Sequence, residues 1–210
     1  MKRKQKLKVD KILVIFIIVG IVLFGFLGFK AYNDFFVDKT PNKKLMSLDL
    51  YGYTLAKNDT SLYKDNFKEL EAVLNEKPIN YHSYAKLLAK LFVIDVYTLD
   101  NKLASTDIGG LEFIHKDLEE NFKENLGGTM YNFIESNIDG KRKQNLPVVK
   151  SIETEEVFET KYIFKDKEYP AYLVDLTWEY EKDLGYDTTA LVKVGKVDEF
   201  MYIVSYSPNK

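Results

Sequence analysis

An uninterrupted apolar run near the N-terminus constrains this chain more than any other feature. From 12 to 29 the sequence reads ILVIFIIVGIVLFGFLGF, in which every residue is apolar or glycine. As a helix, a run of this length covers about 27 Å, close to the roughly 30 Å hydrocarbon core of a bilayer. The run has no polar face, so it does not fit an amphipathic helix packed on a protein core. The sequence therefore predicts a transmembrane helix over 12–29.

The charges that precede the run predict its orientation. Six basic residues against the single acid Asp10 give the tail 1–11 a net charge of +5. Basic tails of this kind are retained in the cytoplasm, so we predict a single-pass signal anchor in the cell membrane, with the C-terminal part of the chain outside. A cleaved signal peptide is the alternative. The run is longer than a usual signal core, and the following FLGFKAYND lacks a pair of small residues for cleavage.

The rest of the chain is acidic and contains no cysteine. The total formal charge is −2, so the residues beyond the tail carry −7. An acidic body disfavours nucleic-acid binding, because phosphate contacts need clustered lysine and arginine. The lack of cysteine excludes disulfides, thiol catalysis and cysteine-ligated metals. We therefore expect no nucleic-acid partner.

Residues 30–47 contain mixed charges and a Pro41-Asn42 breaker, which is typical of a juxtamembrane stalk. The remaining 48–210 are predicted to form one extracytoplasmic domain. It begins with a short extended piece, LDLYGYTL. Apolar residues at helical spacing then predict three helices: one that ends before Lys77-Pro78, one beginning near Tyr81, and one from Phe113 that Gly127-Gly128 interrupts.

After Pro147 the apolar period changes from that of a helix to two. The segments VFETKYIF, YPAYLVDLTWEY, TTALVKV and FMYIVSY alternate and are rich in β-branched and aromatic residues. Their connections are short, so neighbouring strands should be antiparallel. Three helices followed by a four-stranded antiparallel meander make an α+β domain, with the helices packed on one face of the sheet.

This element order behind an N-terminal anchor resembles the NTF2-like domains of VirB8-type and TcpC-type conjugation and secretion proteins. The resemblance is architectural and covers roughly Leu48 to Tyr206. It implies a scaffold component of a membrane assembly that works through protein contacts. It also implies a cone-shaped cavity between the sheet and the helices.

Asp95 is the main candidate site residue, because it falls on the apolar stripe of the second helix. An unpaired carboxylate there would cost several kcal/mol or have a raised pKa. One interpretation is a general acid or ligand group in the implied cavity, together with Tyr97 or Trp178. The other is a structural tie that caps neighbouring backbone or pairs with a cation, for which Arg142 is the natural partner. Arg142 is the sole arginine beyond the tail, and the sequence favours the tie.

The Asp107-Ile108-Gly109-Gly110 segment could bind an anion through backbone amides, but no phosphate-loop lysine follows it. We therefore predict a glycine turn before the third helix. The two histidines, His82 and His115, lie far apart and lack metal-site spacing, so no metal or other cofactor is expected.

The sequence contains no nucleophile motif, phosphate loop or paired acid–base set, so we predict that the protein is not an enzyme. The leading hypothesis is a membrane-anchored extracytoplasmic interaction domain in a conjugation, secretion or other envelope complex. Its partners would be other envelope proteins or a second copy of the chain. The alternative is a ligand-binding or sensory domain with a pocket between sheet and helices, whose small-molecule ligand the sequence does not identify.

Overall fold

The computed structural model describes residues 44–208. Within this range, no helix is long and apolar enough to cross a membrane. The predicted tail 1–11, the predicted span 12–29 and most of the predicted stalk 30–47 lie outside the described residues.

The described chain is α+β, as predicted. In chain order its elements are β1 (Lys44–Leu48), β2 (Tyr53–Ala56), α1 (Ser61–Leu74), α2 (Tyr81–Tyr97), a 3-10 turn (Leu111–Phe113), α3 (Lys116–Gly127), a second 3-10 turn (Met130–Phe133), β3 (Val149–Phe164), β4 (Lys167–Tyr180), β5 (Thr189–Val197) and β6 (Phe200–Pro208). The last four strands form an antiparallel sheet in the order β3-β4-β5-β6. Three helices and this sheet confirm the predicted α+β class with a four-stranded antiparallel sheet.

The first two helices begin where the sequence supplies capping side chains. The Thr60 hydroxyl accepts a hydrogen bond from the Tyr63 N–H at 3.2 Å, and Asn80 Oδ1 accepts one from the Ser83 N–H at 3.1 Å. These contacts satisfy backbone donors that a helix leaves unpaired at its start. Helix α2 is the central element, and 11 of its 17 residues are buried. That burial explains why its sequence is apolar on more than one face.

The core lies between α2 and the sheet. In β4, Val174, Leu176 and Trp178 are each no more than 2% exposed, so alternate side chains of this strand face the core. The Trp178 indole packs on the Tyr97 ring with 4.7 Å between ring centroids. Large side chains therefore fill the space between sheet and central helix at this level.

A two-stranded hairpin precedes α1 where the sequence predicted a single extended piece. Strands β1 and β2 pair antiparallel, and Gly52, in the turn between them, has a φ of +79°, which glycine adopts without strain. Strand β1 begins at Lys44, inside the predicted stalk. The hairpin therefore includes residues 44–47, which the sequence assigned to the stalk.

Candidate functional site

Asp95 lies near the C-terminal end of α2 and is fully partnered. The Lys102 ammonium donates to Asp95 Oδ1, and the Gly110 N–H donates to Asp95 Oδ2 at 2.6 Å. The Lys102 side chain is only 8% exposed and that of Asp95 is 21% exposed. Asp95 is thus a paired carboxylate that also holds neighbouring backbone. The prediction that Arg142 would be its partner was wrong.

Arg142 instead holds backbone carbonyl groups. Its guanidinium donates to the Lys102 carbonyl at 2.8 Å and to the Asp100 carbonyl at 2.6 Å, and its side chain is 2% exposed. A guanidinium presents several donors in a fixed plane, so it can satisfy several carbonyls at once. Lys102 needs to reach back only over the loop that follows α2. The two basic residues therefore fix the same loop: Lys102 through its ion pair with Asp95, and Arg142 through hydrogen bonds to the carbonyl groups of the loop.

Asp107, Gly109 and Gly110 form a turn packed against the end of α2. The Asp107 carboxylate accepts a hydrogen bond from the Leu103 N–H at 2.9 Å, and Gly110 has a φ of +77°. A Cβ atom on Gly109 would lie 2.8 Å from the Asp95 carbonyl carbon, so only glycine fits this approach. The glycines are used for a turn and for close packing.

A polar cleft of about 220 Å³ lies beside this turn, and Asp95 and Glu112 are among its lining residues. The Glu112 carboxylate accepts hydrogen bonds from the Thr54 N–H at 3.1 Å, the Thr54 hydroxyl at 2.7 Å and the Tyr63 hydroxyl at 3.1 Å. Burial nevertheless raises the pKa of Glu112 to about 7. These contacts attach the β1–β2 hairpin to the rest of the domain. Sequence reasoning missed Glu112, because its burial depends on the hairpin folding over it.

A larger pocket of about 480 Å³ lies between α3 and β6; we call it the aromatic pocket. Its apolar walls include Tyr97, Phe122, Leu126, Met130 and Tyr206, and its polar groups include Asn121, Asn125, Thr129, Asp187 and Ser205. Its volume falls within the range of about 300–1,000 Å³ that is common for ligand sites.

The predicted pocket residues do not share one site. Tyr97 lines the aromatic pocket, Trp178 packs against the Tyr97 ring, and Asp95 lines the polar cleft. Successive helical residues are about 100° apart, so side chains two positions apart point in nearly opposite directions. Asp95 and Tyr97 therefore serve two separate regions at the end of one helix.

Asp187 is the single Asp, Glu, Lys, Arg or His side chain among the described residues that line the aromatic pocket. The Tyr97 hydroxyl hydrogen-bonds to the Tyr206 hydroxyl and donates to Asp187 Oδ2 at 3.4 Å. Burial raises the pKa of both tyrosines well above the usual value. Both hydroxyls therefore stay protonated at neutral pH and can donate or accept hydrogen bonds.

The two histidines have separate local contacts. His82 packs edge-on against Tyr172, with 6.1 Å between ring centroids, and His115 Nδ1 accepts from the Asp117 N–H at 3.3 Å at the start of α3. In the part of the chain that the structure describes, no group of three or more His, Cys, Asp or Glu residues is placed to hold a metal ion.

Comparison with known proteins returned no match, whether to a protein-family model, a curated protein or a solved structure. The fold defines the class of the domain as three helices on a four-stranded antiparallel sheet. Three features of the chain itself therefore bear on its function: its apolar run, its element order and its aromatic pocket.

Proposed function

We propose that this chain is a membrane-anchored, extracytoplasmic binding domain that acts through protein contacts and not through catalysis. The apolar run 12–29 and the +5 tail support the anchor and its orientation. The observation that carries the binding function is the aromatic pocket, with its apolar walls and its single carboxylate at Asp187. A general acid–base site needs complementary titrating groups around one reacting atom. One carboxylate among aromatic side chains suits recognition better.

The proposal includes the finer assignment to the NTF2-like class of the VirB8 and TcpC type. Support comes from the element order, in which three helices precede the meander β3-β4-β5-β6. In that setting the domain serves as a scaffold component of a conjugation, secretion or other envelope complex. Its partner is another envelope protein or a second copy of the chain.

An exposed aromatic side chain in the turn that begins at the aromatic pocket favours a protein partner. Phe133 is 71% exposed. Phe133 ends the 3-10 turn that begins at the pocket residue Met130. Exposed aromatic groups beside a concave pocket are common anchors of protein interfaces, because they lose unfavourable hydration on association.

A second candidate function is a ligand-binding or sensory domain that uses the same pocket. The observation that favours it is the volume of about 480 Å³, which suits a small molecule. A ligand that stays bound would be detected as added mass when the full chain is released gently from detergent into a mass spectrometer.

Site-specific crosslinking in cells tests the proposed function. A photo-crosslinking phenylalanine derivative at Phe133 should capture an envelope protein or a second copy, identified by mass spectrometry of the product. The same derivative at Glu76, an exposed position that follows α1, is the matched control and should not capture that partner. Equal capture at both positions, or none at Phe133, would count against a protein interface at the pocket. Retained small-molecule mass together with no crosslink would favour the second candidate.

A further inference from the structure

We infer that the aromatic pocket receives a basic side chain, arginine in preference to lysine, from the protein partner, with Asp187 as its counter-ion. This inference rests on the proposed function, because it names the chemistry of the group that the pocket binds. It follows from the charge, the aromatic side chains and the apolar walls of the pocket taken together.

The charge of the pocket selects a cation. Asp187 forms no ion pair with any other residue in the described range 44–208. Its carboxylate accepts a hydrogen bond from the Tyr97 hydroxyl at 3.4 Å. An anionic occupant would meet this carboxylate with like charge. A purely apolar occupant would remove water from it without giving it a partner, which is unfavourable.

The aromatic side chains of the pocket favour the same kind of occupant. Tyr97, Phe122 and Tyr206 all line it, and the faces of aromatic rings attract cations. Asn125 Nδ2 donates to Asn121 Oδ1 at 3.0 Å, which leaves the Asn125 side-chain oxygen as an acceptor for an N–H group. The pocket therefore offers a carboxylate, aromatic side chains and an amide oxygen to a group that carries several donors.

The apolar walls require that the cation be carried on a hydrocarbon stem. Leu126 and Met130 line the pocket beside the aromatic residues, and the methylene groups of arginine and lysine pack well on such surfaces. A guanidinium is planar, stacks on rings and pairs with a carboxylate through two parallel hydrogen bonds. An ammonium is more strongly hydrated and lacks that geometry. We therefore expect arginine to bind more tightly than lysine.

Ligand-observed saturation-transfer NMR with the full chain in non-ionic detergent tests this inference. The probe is Nα-acetyl-arginine amide, and the matched control is the citrulline derivative, which has nearly the same shape without the charge. We expect the arginine probe to bind at least about fivefold more tightly than the citrulline probe. The lysine derivative should fall between them.

Two variants locate the effect at the pocket. Asp187→Asn should weaken binding of the arginine probe at least about fivefold. Glu181→Gln removes an exposed carboxylate from the same β4–β5 connection, outside the pocket lining, and should leave binding unchanged. Both positions are exposed, and a thermal melt of each variant confirms that its fold is intact.

The outcomes separate this inference from the proposed function. Equal binding of the arginine and citrulline probes, no binding of either, or an unaffected Asp187→Asn variant would overturn the inference, even if Phe133 still captures a partner. If the arginine probe binds in a way that depends on Asp187 but no partner is captured at Phe133, the pocket's preference for arginine would be supported. The proposed protein interface would then be rejected.

Discussion

Replacing Lys102 with methionine keeps most of its hydrocarbon length but removes the ammonium that pairs with Asp95. Of its two partners within 44–208, the Asp95 carboxylate, 21% exposed, would then retain the Gly110 N–H at 2.6 Å. Breaking a buried ion pair on one side typically costs about 3–5 kcal/mol. Because Asp95 keeps some contact with water, we expect Lys102→Met to lower the free energy of unfolding by about 3 kcal/mol, near the bottom of that range.

The reverse change should cost more. Asp95→Asn leaves the Lys102 ammonium without its charge partner in a site where the side chain is 8% exposed. The amide oxygen of the introduced asparagine can still accept a hydrogen bond from the Gly110 N–H. The loss of stability therefore reports on the ion pair and not on this hydrogen bond. We expect about 3–5 kcal/mol. Denaturant unfolding of the full chain in detergent, followed by Trp178 fluorescence, measures both variants.

A double-mutant cycle tests the pairing itself. The variant that carries both Asp95→Asn and Lys102→Met should be less destabilised than the sum of the single changes, by about 1–3 kcal/mol. Arg142→Ala provides the comparison, because Arg142 holds carbonyls in the same loop without touching the Asp95 carboxylate. A larger coupling of Asp95 to Arg142 than to Lys102 would refute this account of the tie. Unchanged stability of Asp95→Asn would reopen the interpretation of Asp95 as a ligand group.

Three further predictions concern packing, pH and topology. Gly109→Ala should lower the free energy of unfolding by about 2 kcal/mol or more, because its Cβ would meet the Asp95 backbone at 2.8 Å. Gly127 lies in α3, and a Cβ atom there would be 3.5 Å from Ile108 Cδ1, an ordinary contact. Gly127→Ala should therefore be neutral or stabilising by up to about 1 kcal/mol in the same assay. The folded-state pKa of Glu112, about 7, lies above its usual 4.5, so the folded state binds the proton more tightly and stability should fall as pH rises between these values. Glu112→Gln should remove that slope, and an unchanged slope would show that other groups cause it. External protease on cells stripped of any outer wall should digest the domain and spare the tail 1–11, whereas a soluble protein beginning near Ala31 would identify 12–29 as a cleaved signal peptide.

The secondary structure could be predicted mostly from the sequence, because local periodicity carries it. Helices α1 and α2 and strands β4, β5 and β6 lie close to where the apolar period placed them, whereas β3 begins at Val149, eight residues before the predicted VFETKYIF segment. The third helix was placed too early: Leu111–Phe113 forms a separate 3-10 turn, and α3 begins at Lys116, after the cap at His115. The pairing of β1 with β2 was missed, because strands of only five and four residues give too short a pattern.

The candidate sites depend on contacts that local patterns do not encode. The need for a partner at Asp95 could be predicted from its place on an apolar stripe, but the choice of Lys102 over Arg142 depends on the path of the loop after α2. The raised pKa of Glu112 arises when the hairpin covers it. Asp187 could not be predicted as a site residue, because nothing in the sequence distinguishes it from other acidic residues in polar loops. Its place beside aromatic side chains depends on the tertiary fold.

The tie at Asp95 and the aromatic pocket are connected through Tyr131, which is fully buried. The Tyr131 hydroxyl accepts from the Gly109 N–H at 3.0 Å and donates to the Val96 carbonyl at 2.8 Å. Tyr131 directly follows the pocket residue Met130 in the same 3-10 turn. The glycine turn that Asp95 holds therefore also fixes one wall of the pocket. The charged residue at the end of this apolar helix therefore has a structural role, because it holds the glycine turn that hydrogen-bonds to Tyr131 beside the aromatic pocket.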